Sequence, residues 1–316
     1  MNILICPSHN YIMPYGIMLE SLFTNNEGED IQVYSINDED VTEDDIKDLD
    51  DIAKKHHTQK IIYRTFTEDI FNIFPNLGMN HVNRTSYYRL FAATLLPKEV
   101  IKILYIDGDI IISDNIKNLW ETDVEGIAVA GVMNQSQSFD NYNRLHYSSK
   151  LGYINGGVLL INLSYWREQQ VECRFIDFIH NFPERIKWHD QDVLNYVLRR
   201  EKRLLPLKYN VQHKFYYKSE YRMMDYWILE SEILDAQKNP VVLHFTGDEK
   251  PWQIGCQHPR VKVFLYYKKK TKWSDTPLLQ LQIRKTWIQQ LRSQIRLLFE
   301  FLHILPHKVY INKFLF

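Results

Sequence analysis

Two carboxylates stand two residues apart in Ile103-Leu-Tyr-Ile-Asp-Gly-Asp-Ile-Ile-Ile112, an otherwise apolar run suited to a buried strand. Burying an unpaired carboxylate is costly, so a chain that places Asp107 and Asp109 there must supply a cation to meet them. If the backbone bends at Gly108, both can ligate one divalent ion at the carboxyl edge of a sheet, where α/β folds place ligands. An exposed Asp-Gly turn has the same composition, so the pair does not decide the matter alone. A second run, Val241-Val-Leu-His-Phe-Thr-Gly-Asp-Glu-Lys-Pro-Trp252, also ends on a metal-competent side chain, His244, followed by Gly247 and Lys250. Imidazole with two carboxylates suits Mn²⁺ better than Ca²⁺, with Mg²⁺ as the alternative. Gly247 allows close backbone approach, and Lys250 offers a point charge to a phosphate.

The elements that must position these groups read as an α/β fold. Short Ile- and Val-rich runs at 2–6, 31–36 and 59–63 alternate with segments of helical periodicity, Tyr15 to Phe23 and Ile46 to Ala53. That alternation predicts a mostly parallel sheet with covering helices. Thr42-Glu-Asp-Asp45 is a helix start, with Thr42 as cap. A helix is predicted from Thr85 to Leu96, stopped by Pro97, and then the strand ending at Asp107. Further strands are predicted at 127–132, 157–162 and 241–244, and helices at 164–181 and 191–200. The aromatic-rich stretch 209–229 lacks a clean period and reads as an irregular surface region or lid, a candidate lining for an acceptor site.

With 316 residues and 45% hydrophobic content the chain can bury a large core, read as a catalytic domain over 1–265 and an extension over 266–316. A formal charge of −1 carries no nucleic-acid signature. Its distribution is uneven: net +5 from Leu278 to Phe316 against −6 for residues 1–277. Three widely spaced cysteines, Cys6, Cys173 and Cys256, indicate neither a disulfide framework nor a zinc ribbon, and fit a reducing compartment. The start of the chain lacks the basic leader of a signal peptide, and no apolar run reaches the about 18 residues of a membrane span. The expected location is the cytoplasm, at most peripheral on the inner face of the cell membrane.

Four ordered motifs, Asp107-Gly-Asp109, Asn155-Gly-Gly-Val-Leu-Leu-Ile-Asn162, His189-Asp-Gln-Asp192 and His244-x-x-Gly-x-x-Lys-Pro-Trp252, resemble glycosyltransferase family 8 over roughly residues 1–260. This is the family of retaining lipopolysaccharide galactosyl- and glucosyltransferases and of glycogenin. The resemblance implies a GT-A (Rossmann-like) fold, a UDP-sugar donor, Mn²⁺ and a saccharide or glycolipid acceptor. It implies Asp107, Asp109 and His244 as metal ligands, and Gly247 and Lys250 at the diphosphate. Arg89, Asn155, Gly156, Asp190 and Gln191 would line the donor sugar, with Asn10 and Tyr11 at the base. Ser8 and His9 depart from a pattern that usually carries an acid before Asn-Tyr, although a serine hydroxyl can accept from a uracil N–H.

For the reaction, growing charge on the diphosphate would be met by the ion and Lys250. The resemblance implies Gln191, a poor nucleophile, at the position beneath the sugar, which favours front-face attack; Asp192 keeps double displacement open. A haloacid-dehalogenase-type phosphatase using Asp107 is disfavoured by Ile111, where a hydroxyl residue is needed, and by the motif's distance from the first strand. A non-catalytic sugar-binding protein on the same fold is the other rival, and the intact ligand set argues against it. Residues 281–302, written as a helix, place Trp287, Ile288, Leu291, Ile295, Leu298 and Leu302 on one face, bordered by Lys285, Arg292 and Arg296. That fits attachment to an anionic membrane surface, although Arg284 projects onto the apolar face.

Overall fold

In a computed structural model the chain is described at residues 1–58, 60–65, 85–135, 139–216 and 230–280. The expected α/β architecture is present. A seven-stranded sheet runs in the order β3-β2-β1-β4-β7-β6-β8, built from β1 (Asn2–Ile5), β2 (Gln32–Asn37), β3 (Ile62–Thr65), β4 (Lys102–Ile106), β6 (Val129–Met133), β7 (Ile154–Asn162) and β8 (Lys202–Leu205). Six of these strands are mutually parallel and β7 runs against them, pairing antiparallel with both β4 and β6. A three-stranded sheet, β5-β10-β9, comprises β5 (Ile110–Ile112), β9 (Val211–Gln212) and β10 (Val242–His244).

Helices α1 (Ile12–Asn25), α2 (Glu43–Lys55), α3 (Phe139–Leu145), α4 (Leu163–Glu168), α5 (Val171–Asn181), α6 (His189–Val197), α7 (Glu230–Lys238) and α8 (Val261–Lys268) complete the frame. They bury two apolar clusters. The first strands and α1 are almost wholly buried, as expected of elements covered on both faces. Thr42 opens α2 through a reciprocal capping box: its hydroxyl accepts from Asp45 N–H at 3.2 Å while the Asp45 carboxylate accepts from Thr42 N–H at 2.9 Å. Such a cap contributes about 1 kcal/mol.

Several expected boundaries differ, each for a local reason. The third strand begins at Ile62 because pairing with β2 sets Tyr34 opposite Ile62. The single helix expected over 85–96 is two short α turns interrupted by a 3-10 turn at Arg89–Phe91, which carries the Arg89 side chain inward. The helix expected over 164–181 is divided into α4 and α5 at Gln170, whose φ of 48° breaks the helical backbone. The helix expected at 191–200 starts two residues earlier and ends at Val197.

The aromatic stretch departs most from expectation. Val211, Phe215 and Tyr216 are fully buried, and Val211 pairs with β10, so 209–216 is core rather than surface. The remainder of that stretch, 217–229, lies outside the described residues. Beyond α8 the chain stays on the body. Lys268 Nζ donates to the carbonyls of Ser274 and Thr276 at 3.1 and 2.7 Å, and Leu279 forms a bridge with Gln253. The amphipathic segment 281–302 lies outside the described residues.

Candidate active site

The carboxyl ends of β1, β4, β6 and β8 share one edge with the start of β7, and the chemistry-bearing residues collect there. Asp107-Gly-Asp109 is the crossing between the two sheets: the chain leaves β4 at Ile106 and enters β5 at Ile110. Gly108 is required at this bend because a Cβ would stand 2.9 Å from a ring carbon of Tyr15. Antiparallel pairing of β10 with β5 sets His244 opposite Ile110, and Phe245 N–H donates to the Asp109 carbonyl at 2.9 Å. Backbone pairing alone therefore delivers the imidazole to the carboxylates.

One ligand atom each from Asp107, Asp109 and His244 lies within 4.8 Å of the others. His244 Nε2 is 3.2 Å from Asp109 Oδ1 and 3.8 Å from Asp107 Oδ2. Ligands about 2.1 Å from a shared octahedral ion stand about 3 Å apart when adjacent, so the residues fit a divalent ion. Gly157 makes room for them, since a Cβ there would lie 2.3 Å from His244 Cε1 and 2.8 Å from Asp107 Oδ2. Lys250 Nζ meets Asp109 Oδ2 at 2.6 Å. Burial by itself would raise the Asp109 pKa, but Lys250 and His244 outweigh it and hold the carboxylate well below its usual range.

Arg89 is buried beside this triad. Its Nε donates to Asp190 Oδ2 at 2.6 Å, and its Nη1 to Asp107 Oδ1 at 3.0 Å and to the Gly156 carbonyl at 2.8 Å. Burial opposes its charge, while Asp190, Tyr105 and Asp107 raise its pKa and keep it protonated. Tyr105 lies under the guanidinium at 4.4 Å and donates its hydroxyl to Asp107 at 2.5 Å. Gln191 Oε1 accepts from Gly156 N–H at 2.8 Å and from Asn155 Nδ2 at 3.3 Å. The fold thus brings Arg89, Asp107, Asn155, Gly156, Asp190 and Gln191 together.

Asp192 is placed differently from the nucleophile that the sequence left open. It is fully buried and accepts from Arg144 Nη1 and Nη2 at 2.8 and 3.0 Å, from Tyr153 at 2.7 Å, and from the Lys187 and Trp188 N–H groups at 2.7 and 2.6 Å. A carboxylate so saturated holds the turn into α6 and has no lone pair to spare for a sugar.

Beyond the end of β1, Ser8 precedes a 3-10 turn at His9–Tyr11 and its side chain caps nothing. His9 turns away to Asp45 at 2.7 Å, while Tyr11 is 37% exposed and stands edge-on to Trp252 at 5.8 Å. Gly247 adopts φ 90°, which favours glycine, in the loop leading to Lys250. Sequence reasoning missed Tyr105, Gly157, Arg144 and Asn210. Tyr105 and Gly157 sit inside motifs it quoted; Asn210 lies 34 residues from His244 in an aromatic stretch and carried no signal.

This fold and this site define a glycosyltransferase. The model of the family described as "Glycosyl transferase family 8" matches residues 2–255, and the chain belongs to that family. General stress protein A of Bacillus subtilis (strain 168) is 28% identical over 279 residues, spanning 87% of this chain and 95% of the relative. The lipopolysaccharide glucosyltransferase WaaO of Escherichia coli (strain K12) is 29% identical over 279 residues, spanning 86% and 78%. Among solved structures, the galactosyltransferase LgtC in complex with donor and acceptor sugar analogs superposes with a TM-score of 0.74 at 20% identity, covering 86% of this chain and 96% of that one, a likeness of fold.

Proposed function

We propose that the protein transfers glucose or galactose, with retention, from a UDP-sugar held with Mn²⁺ to a saccharide or glycolipid acceptor, as in lipopolysaccharide or other surface-glycan synthesis. The observation that carries this reading is the Asp107, Asp109 and His244 cluster with Lys250 against it at the carboxyl edge of the sheet. When bound there, the ion supplies charge stabilisation to the departing diphosphate. Lys250, held protonated by Asp109 against the effect of its own burial, adds a fixed positive charge on the same side. Arg89 lies between Asp107 and Asp190 and orients both carboxylates toward the sugar. Ser8, Asn10 and Tyr11 take the uracil end.

Retention here proceeds by attack from the leaving-group face. Gln191 Oε1 already accepts two hydrogen bonds, Asp192 is saturated, and Asp190 is bound to Arg89, so no carboxylate among these is poised as a nucleophile. The acceptor proton passes to an oxygen of the leaving diphosphate as the new C–O bond forms. The phosphatase reading fails on the fold, because the motif follows the fourth strand and Ile111 is an inward-facing strand residue with no hydroxyl. Among the described residues no helix is long and apolar enough to cross a membrane. A cytoplasmic enzyme attached to the membrane surface by its basic segment 281–302 fits the glycolipid class of acceptor.

Two measurements test this reading. Calorimetric titration with Mn²⁺ present is expected to show UDP-hexoses binding more tightly than GDP- or CDP-sugars, and the reverse order rejects the base assignment. Proton NMR of the product at early times is expected to show the donor's anomeric configuration, and inversion rejects the mechanism.

A further inference from the structure

Asn210 stands between the short turn at Leu207–Tyr209 and β9, fully buried, and touches both halves of the site. Its Oδ1 lies 2.9 Å from His244 Nδ1, and its Nδ2 donates to Asn155 Oδ1 at 2.8 Å. We propose that Asn210 is a positioning residue that couples the metal ligand His244 to the sugar-facing residues Asn155 and Gln191 through one directional hydrogen-bond relay. The inference rests on the reading of Asp107, Asp109 and His244 as a metal site.

The sense of the relay follows from two donors that cannot turn around. Gly156 N–H donates to Gln191 Oε1 at 2.8 Å, and Gly157 N–H donates to Asn155 Oδ1 at 2.9 Å. These backbone groups assign the oxygen ends of both amides. The Asn155 NH₂ then faces Gln191 Oε1 at 3.3 Å and Asn134 Oδ1 at 3.2 Å. Asn155 Oδ1 takes its second donor from Asn210 Nδ2, which leaves the oxygen of Asn210 toward the imidazole. An amide oxygen only accepts, so His244 Nδ1 carries the proton and donates. Nε2, the nitrogen facing both carboxylates, is thereby the ligating one.

The links are buried or partly buried, and reversing any of these amides would set like against like, oxygen on oxygen for Asn155 and Asn210 and N–H on N–H for Gln191. The backbone of β7 therefore selects the tautomer of a metal ligand on β10, and Asn210 is the side chain through which it does so. It also fixes the orientation of the ring, the role that outer partners of metal-bound histidines commonly fill.

The test uses the whole chain and two variants, Asn210→Ala and Asn210→Asp, with three readouts: Mn²⁺ titration of the donor-free protein by calorimetry, kcat and donor KM, and thermal melting. Asn210→Ala removes both arms and is expected to weaken Mn²⁺ binding about 10- to 100-fold. Asn210→Asp keeps an acceptor for His244 but sets an oxygen against Asn155. It is expected to bind Mn²⁺ within about threefold of wild type while kcat at saturating donor and metal falls at least about tenfold. That split between the variants supports the relay, because general loss of packing would weaken metal binding in both or in neither. Wild-type kcat in Asn210→Asp, or wild-type Mn²⁺ affinity in Asn210→Ala, overturns it. A wild-type chain that itself binds no Mn²⁺ overturns the metal reading first and the relay with it, an outcome distinct from metal-binding variants that turn over normally.

Discussion

Replacing Gly157 by alanine adds one methyl group at the closest approach between β7 and the metal-competent side chains. The new Cβ would stand 2.3 Å from His244 Cε1 and 2.8 Å from both His244 Nδ1 and Asp107 Oδ2. Ordinary carbon contacts begin near 3.4 Å, so the imidazole must retreat by about 1.1 Å or the strand must move. Neither is easy, because β7 is paired on both sides and His244 is fixed by its strand pairing to Ile110. A retreat of that size stretches a metal–nitrogen bond of about 2.1 Å to about 3 Å, which is no bond. Misplacement of a catalytic group by about 1 Å costs on the order of 10²-fold, or about 2.7 kcal/mol of barrier. Gly157→Ala is therefore expected to weaken Mn²⁺ binding at least about tenfold and to lower kcat/KM for a UDP-hexose about a hundredfold. Overpacking should cost a further ~1–3 kcal/mol of stability, read as a lower melting temperature. Calorimetry with Mn²⁺ and a coupled assay of UDP release measure the two effects. A variant that folds, binds Mn²⁺ as the parent does and keeps its kcat/KM would refute the steric argument.

Asp192→Asn should leave the partly buried Arg144 guanidinium without its carboxylate and destabilise the fold by about 3 kcal/mol, while mass spectrometry of the working enzyme should find no hexose on Asp192. A glycosylated Asp192 would restore double displacement. The hydrogen bond to Asp45 raises the His9 pKa, and, against its partial burial, the Asp45 pKa is lowered by His9 and Thr42. The raised histidine contributes stability below its unfolded pKa and loses it as pH climbs through the folded one; the depressed carboxylate loses its contribution as pH falls. The stability difference between the parent and His9→Ala, followed by melting over about pH 4 to 9, should peak between those two values, and a flat difference would remove the ion pair from the account. Full-length chain should float with anionic liposomes at low salt and release at high salt, whereas a chain ending at Gln280 should not; equal flotation of both rejects attachment through the basic segment.

Much of this site could be read from residue order because its parts are strand ends. Asp107 and His244 each close an apolar run and Asp109 opens the next, and a strand end is a position that sequence patterning marks well. The Thr42 cap was equally legible, since both halves of the box lie within four residues. What escaped depends on contacts far apart in the chain. Arg89 sits in a 3-10 turn rather than a continuous helix, where it meets Asp190, 101 positions further along the chain. Local periodicity cannot register such a partner. Gln170 breaks a helix that no glycine or proline announces. Asp192 reads in the sequence as a spare nucleophile, but Arg144, Tyr153 and two backbone N–H groups occupy it in the fold. The stretch 209–216 looked like surface because its aromatics lack a period, yet β9 is a strand of two residues, too short for any pattern to show.

The proposed function requires this sheet edge to hold a nucleotide sugar on a divalent ion at Asp107, Asp109 and His244. It is tested most directly by incubating the protein with a panel of nucleotide sugars and following nucleoside diphosphate release with and without Mn²⁺, the parent chain beside Asp109→Ala. UDP release from UDP-glucose or UDP-galactose that requires the added ion and falls more than about tenfold in Asp109→Ala, a loss above ~1.4 kcal/mol of barrier, is the predicted result. Release that proceeds unchanged after chelation, or an Asp109→Ala variant that keeps its rate at saturating Mn²⁺, would contradict it.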